Sequence, residues 1–73
     1  MKIIQIDIEK LDDFMAREKL TNKQLADRAK ISERVIYRLK VDPSHFSSKT
    51  LNALAMALNV NSMDLISEII YTQ

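Results

Sequence analysis

Residues 21–40, with the sequence TNKQLADRAKISERVIYRLK, form the stretch that decides the fold. Apolar residues recur there at intervals of three and four, which is the spacing of a helix that buries one face. The spacing is interrupted at Lys30 and Ile31. The pattern therefore predicts two short helices that meet at a tight corner and cross at a large angle. The residues expected to face inward are Leu25, Ala26, Ala29, Ile31, Val35, Ile36 and Leu39.

Both predicted helices carry sequence signals at their first residues. Thr21 and Gln24 match a capping box, in which each side chain accepts a hydrogen bond from the other residue's backbone amide. The first helix is therefore predicted over residues 22–29. Ser32 is a favourable N-cap, and the second helix is predicted over residues 33–40. The outward positions of this second segment are Ser32, Glu33, Arg34, Tyr37 and Arg38.

The positive charge of the chain is concentrated in the same stretch. The whole chain has a net charge of only +1, yet residues 21–40 hold six Lys and Arg against two Asp and Glu. A local basic surface is the pattern expected of a nucleic-acid-binding module. A solvated helix face without any partner would carry the same charges, so charge alone does not decide between the two.

The composition excludes several classes of function. A chain of 73 residues with 47% apolar content is predicted to fold as one small domain with one core. The absence of Cys rules out disulfides and thiolate metal sites, and the absence of Gly rules out glycine-rich phosphate loops. A zinc site without Cys needs more than a single histidine, and the chain has only His45. We expect no enzyme activity, no cofactor and no metal.

The N-terminal sequence MKIIQIDIEK does not have the form of a signal peptide, because Gln5, Asp7 and Glu9 interrupt its apolar residues. No apolar run approaches the roughly 18 residues that a transmembrane helix needs. The expectation is a soluble, cytoplasmic protein. Residues 2–8 alternate between apolar and polar, which predicts a short strand. This strand can pair with the C-terminal tail, pair with a second subunit, or remain an extended arm.

Three further helices are predicted around the central stretch. The first covers residues 9–19, and another begins at Ser47 or Ser48 and ends at Asn59, a residue that tolerates the left-handed conformation. A fifth helix is predicted to begin at Ser62, with Asp64 in its first turn. Its core-facing residues are Leu65, Ile66, Ile69 and Ile70. Residues 1–8 are thus expected to be an arm or strand, and residues 9–71 a single domain.

Two series of residues carry a resemblance to a known family. They are Thr21-x3-Leu25-Ala26-x2-Ala29-x-Ile31-Ser32-x3-Ile36-x2-Leu39, and Leu51-x2-Leu54-Ala55-x2-Leu58-Asn59-Val60 followed by Leu65. Over residues 9–70 the chain resembles the Cro/repressor-type helix-turn-helix domain of bacterial and phage regulators, often called XRE-like. The resemblance implies an all-α fold, a compact five-helix lambda-repressor-like bundle with its helix-turn-helix at residues 21–40.

The resemblance also implies a function, namely a sequence-specific transcriptional regulator that binds double-stranded DNA and acts as a repressor. In such domains the second helix of the motif enters the major groove. The positions that this assigns to base contacts are Ser32, Glu33, Arg34, Tyr37 and Arg38. Those assigned to phosphate contacts are Asn22, Lys23, Lys40, Ser44, His45, Ser48 and Lys49.

Two positions depart from the family pattern. Lys30 occupies the corner where the family usually has Gly, and Val41-Asp42 replace a frequent Gly after the recognition helix. A left-handed Lys30 would be strained by about 1 kcal/mol. The expected partner is a near-palindromic DNA operator, bound by a homodimer, with no membrane and no small-molecule effector. The alternative is a protein-binding antitoxin, anti-repressor or adaptor on the same fold.

Overall fold

The computed structural model describes residues 2–70, without the side chains of Lys2, Ile69 and Ile70. Helices make up most of this range, and a strand lies at each end of it. No helix within it is long and apolar enough to cross a membrane. The elements in chain order are β1 Lys2–Ile6, α1 Ile8–Arg17, α2 Asn22–Ala29, α3 Glu33–Val41, α4 Ser48–Leu58, a 3-10 turn Ser62–Leu65, and β2 Ile66–Ile70.

The helix-turn-helix segment forms as the sequence predicts. α2 has the predicted bounds, and its capping box is present: the Thr21 hydroxyl accepts from the Gln24 amide at 3.1 Å, and the Gln24 side chain accepts from the Thr21 amide at 2.9 Å. Ser32 occupies the N-cap of α3, but its side chain forms no capping bond. α3 continues to Val41, one residue beyond the predicted end.

Within residues 2–70, three helices end in the same way without using glycine. Lys19, Lys30 and Asn59 lie just after α1, α2 and α4, with φ between 55° and 59°. The residue that follows each one donates its N–H to the carbonyl five positions earlier, at 2.9–3.0 Å. This is the Schellman motif, and it confirms the left-handed conformation predicted for Asn59. Lys30, which replaces the family's usual corner Gly, is left-handed as well. The apolar residues that the motif packs against the core are Leu20, Ile31 and Val60.

Replacing Lys30 by Gly is expected to raise the free energy of unfolding by about 1 kcal/mol, because Gly adopts positive φ without a Cβ clash. Lys23→Gly is the matched control, since it removes the same charge from inside the first turn of α2. That variant is expected to lose about 0.5–1 kcal/mol. Urea unfolding measures both changes, and a loss of stability in Lys30→Gly would contradict the strain assigned to this corner.

The inward residues of α2 and α3 lie at the centre of the core. Leu25, Ala26, Ile36 and Leu39 are buried, as predicted. The other residues expected to face inward are only partly buried and pack at the margin of the same cluster. α2 packs against both α3 and α4, so α3 is held by one face while its opposite face points outward.

The prediction of a fifth helix is wrong. The predicted helical class is confirmed, with four α-helices in the described range. Ser62–Leu65 makes a single 3-10 turn, after which the chain extends as β2. The cap of this turn is Asn61 rather than Ser62, and the Asn61 N–H donates to the Asp64 carboxylate at 3.2 Å. β2 contains several Ile residues, and β-branched side chains lose rotamer freedom in a helix but fit a pleated strand.

β1 and β2 pair antiparallel, with Ile4 opposite Glu68 and Ile6 opposite Ile66. Of the three arrangements expected for the N-terminal strand, the structure therefore has the pairing with the C-terminal segment. Leu65 is buried as predicted. The predicted packing of the Ile69 and Ile70 side chains, and residue 71 of the predicted domain, lie outside what the structure describes.

Candidate nucleic-acid interface

The outward face of α3 is determined by the residues that the helix buries. Because Ile36 and Leu39 are fully or almost fully buried, the helical period turns Arg34, Tyr37 and Arg38 outward. All three are exposed. Arg34 and Arg38 lie one turn apart, so their two guanidinium groups can act from the same side of the helix.

This face forms one wall of an open concavity of about 610 Å³. The concavity brings together four of the five predicted base-contacting residues, and Ser32 is exposed at the helix start outside it. Glu33 is half-buried rather than exposed, which corrects the expectation for that position. The lining residues are Glu33, Arg34, Tyr37, Arg38, Val41, Asp42 and His45.

Val41 also belongs to this surface, although the sequence predicts that the helix ends at Lys40. It is the last residue of α3, one turn beyond Tyr37, and is 86% exposed, while Tyr37 is 52% exposed. Together they form an apolar strip beside the two arginines. The available signal was that Pro43 disfavours the helical conformation only at Asp42, which leaves Val41 able to continue the helix.

The charges inside the concavity are balanced. Two cationic side chains, Arg34 and Arg38, and two anionic ones, Glu33 and Asp42, line it. Asp42 accepts a hydrogen bond from the Ser44 hydroxyl at 3.0 Å and lies 3.8 Å from the His45 ring nitrogen Nδ1. Of the predicted phosphate contacts, Ser44 and His45 are therefore both close to a carboxylate, and His45 also lines the concavity.

Two helix starts carry three more of the predicted phosphate contacts. Lys23 is exposed in the first turn of α2, and Ser48 and Lys49 are exposed in the first turn of α4. Neither turn contains an acidic residue. Ser47 caps α4 by accepting from the Thr50 amide at 3.2 Å. Helix starts of this kind attract anions through their backbone amides and the helix dipole.

The last two predicted phosphate contacts, Asn22 and Lys40, are bonded to each other. The Lys40 ammonium donates to the Asn22 side-chain oxygen at 2.8 Å and lies 3.1 Å from a carboxylate oxygen of Asp12. Asp12 belongs to α1, so this contact joins three helices. From the sequence, Asp12 is expected to be a solvated helix residue, because no local pattern relates residues 28 positions apart.

An exposed helix that is joined through a tight corner to α2, and held on the core by its opposite face, defines a helix-turn-helix domain. The profile of the Cro/C1-type HTH DNA-binding domain matches residues 10–69. The chain belongs to this family and carries its DNA-binding domain, as the resemblance in the sequence predicts. No protein of curated function matches the chain.

Proposed function

We propose that the protein is a sequence-specific regulator of transcription that represses by occupying double-stranded DNA, with α3 in the major groove. The observation that carries this proposal is the grouping of Arg34, Tyr37, Arg38 and Val41 on the outward face of the second helix of the motif. The major groove is about 12 Å wide and admits one α-helix. Because Ile36 and Leu39 are buried on the opposite side of α3, this face is left for the bases.

Each side chain of this face has a matching group on the base edges. Arg34 and Arg38 can each donate two hydrogen bonds to guanine O6 and N7. Glu33 can accept a hydrogen bond from the cytosine amino group. The Ser32 hydroxyl can either donate a hydrogen bond to a base or accept one from it. Tyr37 and Val41 offer apolar contacts for thymine methyl groups. The surface thus selects bases by polar and apolar contacts together.

The proposed phosphate contacts lie at two helix starts and in the loop after α3. Lys23 and the Asn22 backbone amide lie at the start of α2, and Ser48 and Lys49 lie at the start of α4. His45 lines the concavity, and Ser44 precedes His45 in the chain. Phosphate contacts fix the orientation of the protein on the duplex without reading sequence. Lys40 is engaged within the protein and is not assigned to this group.

The length of α3 favours a homodimer on a near-palindromic operator. α3 has 9 residues, which corresponds to a length of about 13 Å at 1.5 Å per residue. At 3.4 Å per base step this covers about four base pairs. A recognition sequence of that length is too short to be unique in a genome. Two copies of the protein, bound to half-sites about one helical turn apart, double the length of the recognised sequence.

A protein partner for the same face is the second candidate function. The observation that favours it is the exposed apolar strip of Tyr37 and Val41 within a concavity of balanced charge. An antitoxin, anti-repressor or adaptor would bury such a strip against another protein. The two functions differ in their response to salt, because only the binding of DNA releases condensed counterions.

The binding of duplex DNA is therefore expected to weaken steeply with salt. Engagement of about four phosphates by each chain contributes about −3.6 for each bound chain to the slope of log affinity against log salt concentration. Fluorescence titration of a labelled duplex between low and physiological salt measures this slope. Binding that is insensitive to salt would contradict the DNA function and favour the protein partner.

A further inference from the structure

The three-helix contact at Lys40 lies at the edge of the proposed DNA surface. Its ammonium donates to Asn22, the first residue of α2, and pairs with Asp12 of α1. The Lys40 side chain is 26% exposed and that of Asp12 is 56% exposed. The cation therefore lies beside a helix start where a phosphate is proposed to bind, but its charge is directed toward a carboxylate of the protein.

The position of α3 does not depend on this contact. Ile36 and Leu39 hold the helix by burial in the core, and an ion pair with an exposed carboxylate contributes little to stability because water screens it. The contact instead determines which anion the ammonium faces. A DNA phosphate and the Asp12 carboxylate are both anionic acceptors, and they compete for the same donor group.

We propose that Asp12 is a positioning residue that holds the Lys40 ammonium away from the DNA backbone and so keeps the sequence-independent part of the affinity low. A free Lys40 would add one phosphate contact to every duplex, whatever its sequence. This inference rests on the proposed DNA function. Asn22 supports the same arrangement by accepting from Lys40 at 2.8 Å.

The Asp12→Asn variant tests the inference, with Asp13→Asn as its matched control. Both residues are exposed neighbours on α1, so both variants remove one negative charge from the same helix. In the described part of the chain, Lys40 pairs with Asp12 and not with Asp13. In salt titrations of a random-sequence duplex, Asp12→Asn is expected to steepen the log–log slope by about 0.9 for each chain. Asp13→Asn is expected to leave the slope at the wild-type value.

Lys40→Gln separates this arrangement from a direct phosphate contact. Because Lys40 is withheld from DNA, Lys40→Gln is expected to keep the wild-type slope, and the double variant with Asp12→Asn is expected to keep it as well. A slope that becomes shallower by about 0.9 in Lys40→Gln would assign Lys40 to the phosphates and overturn the inference. Equal slopes for Asp12→Asn and Asp13→Asn would also overturn it.

The same titrations distinguish failure of this inference from failure of the proposed function. If binding by the wild-type protein depends on salt but Asp12→Asn does not change the slope, the inference about Asp12 fails and the DNA function stands. If binding by the wild-type protein does not depend on salt, both the proposed DNA function and the inference about Asp12 fail. Circular dichroism of each variant verifies that the helices are intact. We expect them to be, because the substituted side chains are exposed or half-buried and are not part of the core.

Discussion

The Arg34→Ala variant is expected to lose base preference at one position of its DNA target and to bind the preferred sequence more weakly by about 1–3 kcal/mol. Arg34 lies in the first turn of α3, on the exposed face that lines the concavity. The first turn of a recognition helix is the part that reaches the base edges. Loss of a bidentate arginine leaves the guanine acceptors without their partner.

Selection of binding sites from a random pool of duplexes, performed with the wild-type protein and with Arg34→Ala, measures this change. Arg28→Ala is the matched control, because Arg28 is an exposed arginine on α2 outside the α3 face. It removes the same charge and is expected to lower affinity uniformly, with an unchanged preferred sequence. If Arg34→Ala selects the same sequence as the wild-type protein at every position, Arg34 makes no sequence-specific base contact.

The Ile6→Ala variant is expected to lose about 2–5 kcal/mol of unfolding free energy. Ile6 is fully buried at the point where β1 joins the helical core. Its N–H donates to the Pro43 carbonyl at 2.8 Å, and the Asp7 N–H donates to the Leu65 carbonyl at 2.7 Å. These bonds connect the N-terminal strand to the loop after α3 and to the C-terminal segment. A domain of this size has a total stability of about 4–11 kcal/mol, so this single change removes much of it.

Ile4→Ala is the control for this prediction. Ile4 is two residues away on the same face of β1, with the same side chain, but is 45% exposed. Its truncation is expected to lower stability by less than about 1 kcal/mol, since little buried volume is removed. Urea unfolding followed by circular dichroism compares the two variants. Equal and small losses would show that residues 1–8 are a detachable arm rather than part of the folded domain.

The helix-turn-helix could be predicted from the sequence because local chemistry determines it. Thr21 and Gln24 satisfy the amides at the start of α2, and the apolar spacing decides which faces are buried. Lys30 occupies the corner position where the family usually has Gly, and its φ of 59° lies in the left-handed range. Signals of this kind lie within a few residues of the structure that they produce.

The C-terminal segment could not be predicted in the same way. Leu65, Ile66, Ile69 and Ile70 have a spacing that fits a helix face, and the periodicity alone does not separate this from a strand. The choice depends on β1, which is 60 or more residues away and supplies the hydrogen-bonding partner. Tertiary pairing therefore overrode the local pattern, as it often does for short apolar runs.

The candidate site was predicted in part for the same reason. The period of a single helix predicts that Arg34, Tyr37 and Arg38 share one face, and the structure groups them in one concavity. The partners of Lys40 come from two other helices, so no local spacing predicts that its ammonium faces Asp12. The sequence identifies which side chains are cationic, but the packing of the helices decides where each cation points.

The most direct test of DNA reading by α3 is the wild-type arm of the duplex selection, followed by titration of the selected duplex and a scrambled one. We predict enrichment of one near-palindromic sequence, with half-sites about one helical turn apart. Its affinity should exceed that of the scrambled duplex by about 10³-fold or more at physiological salt. A pool that stays random, with equal affinities for the two duplexes, would contradict sequence-specific recognition by this helix.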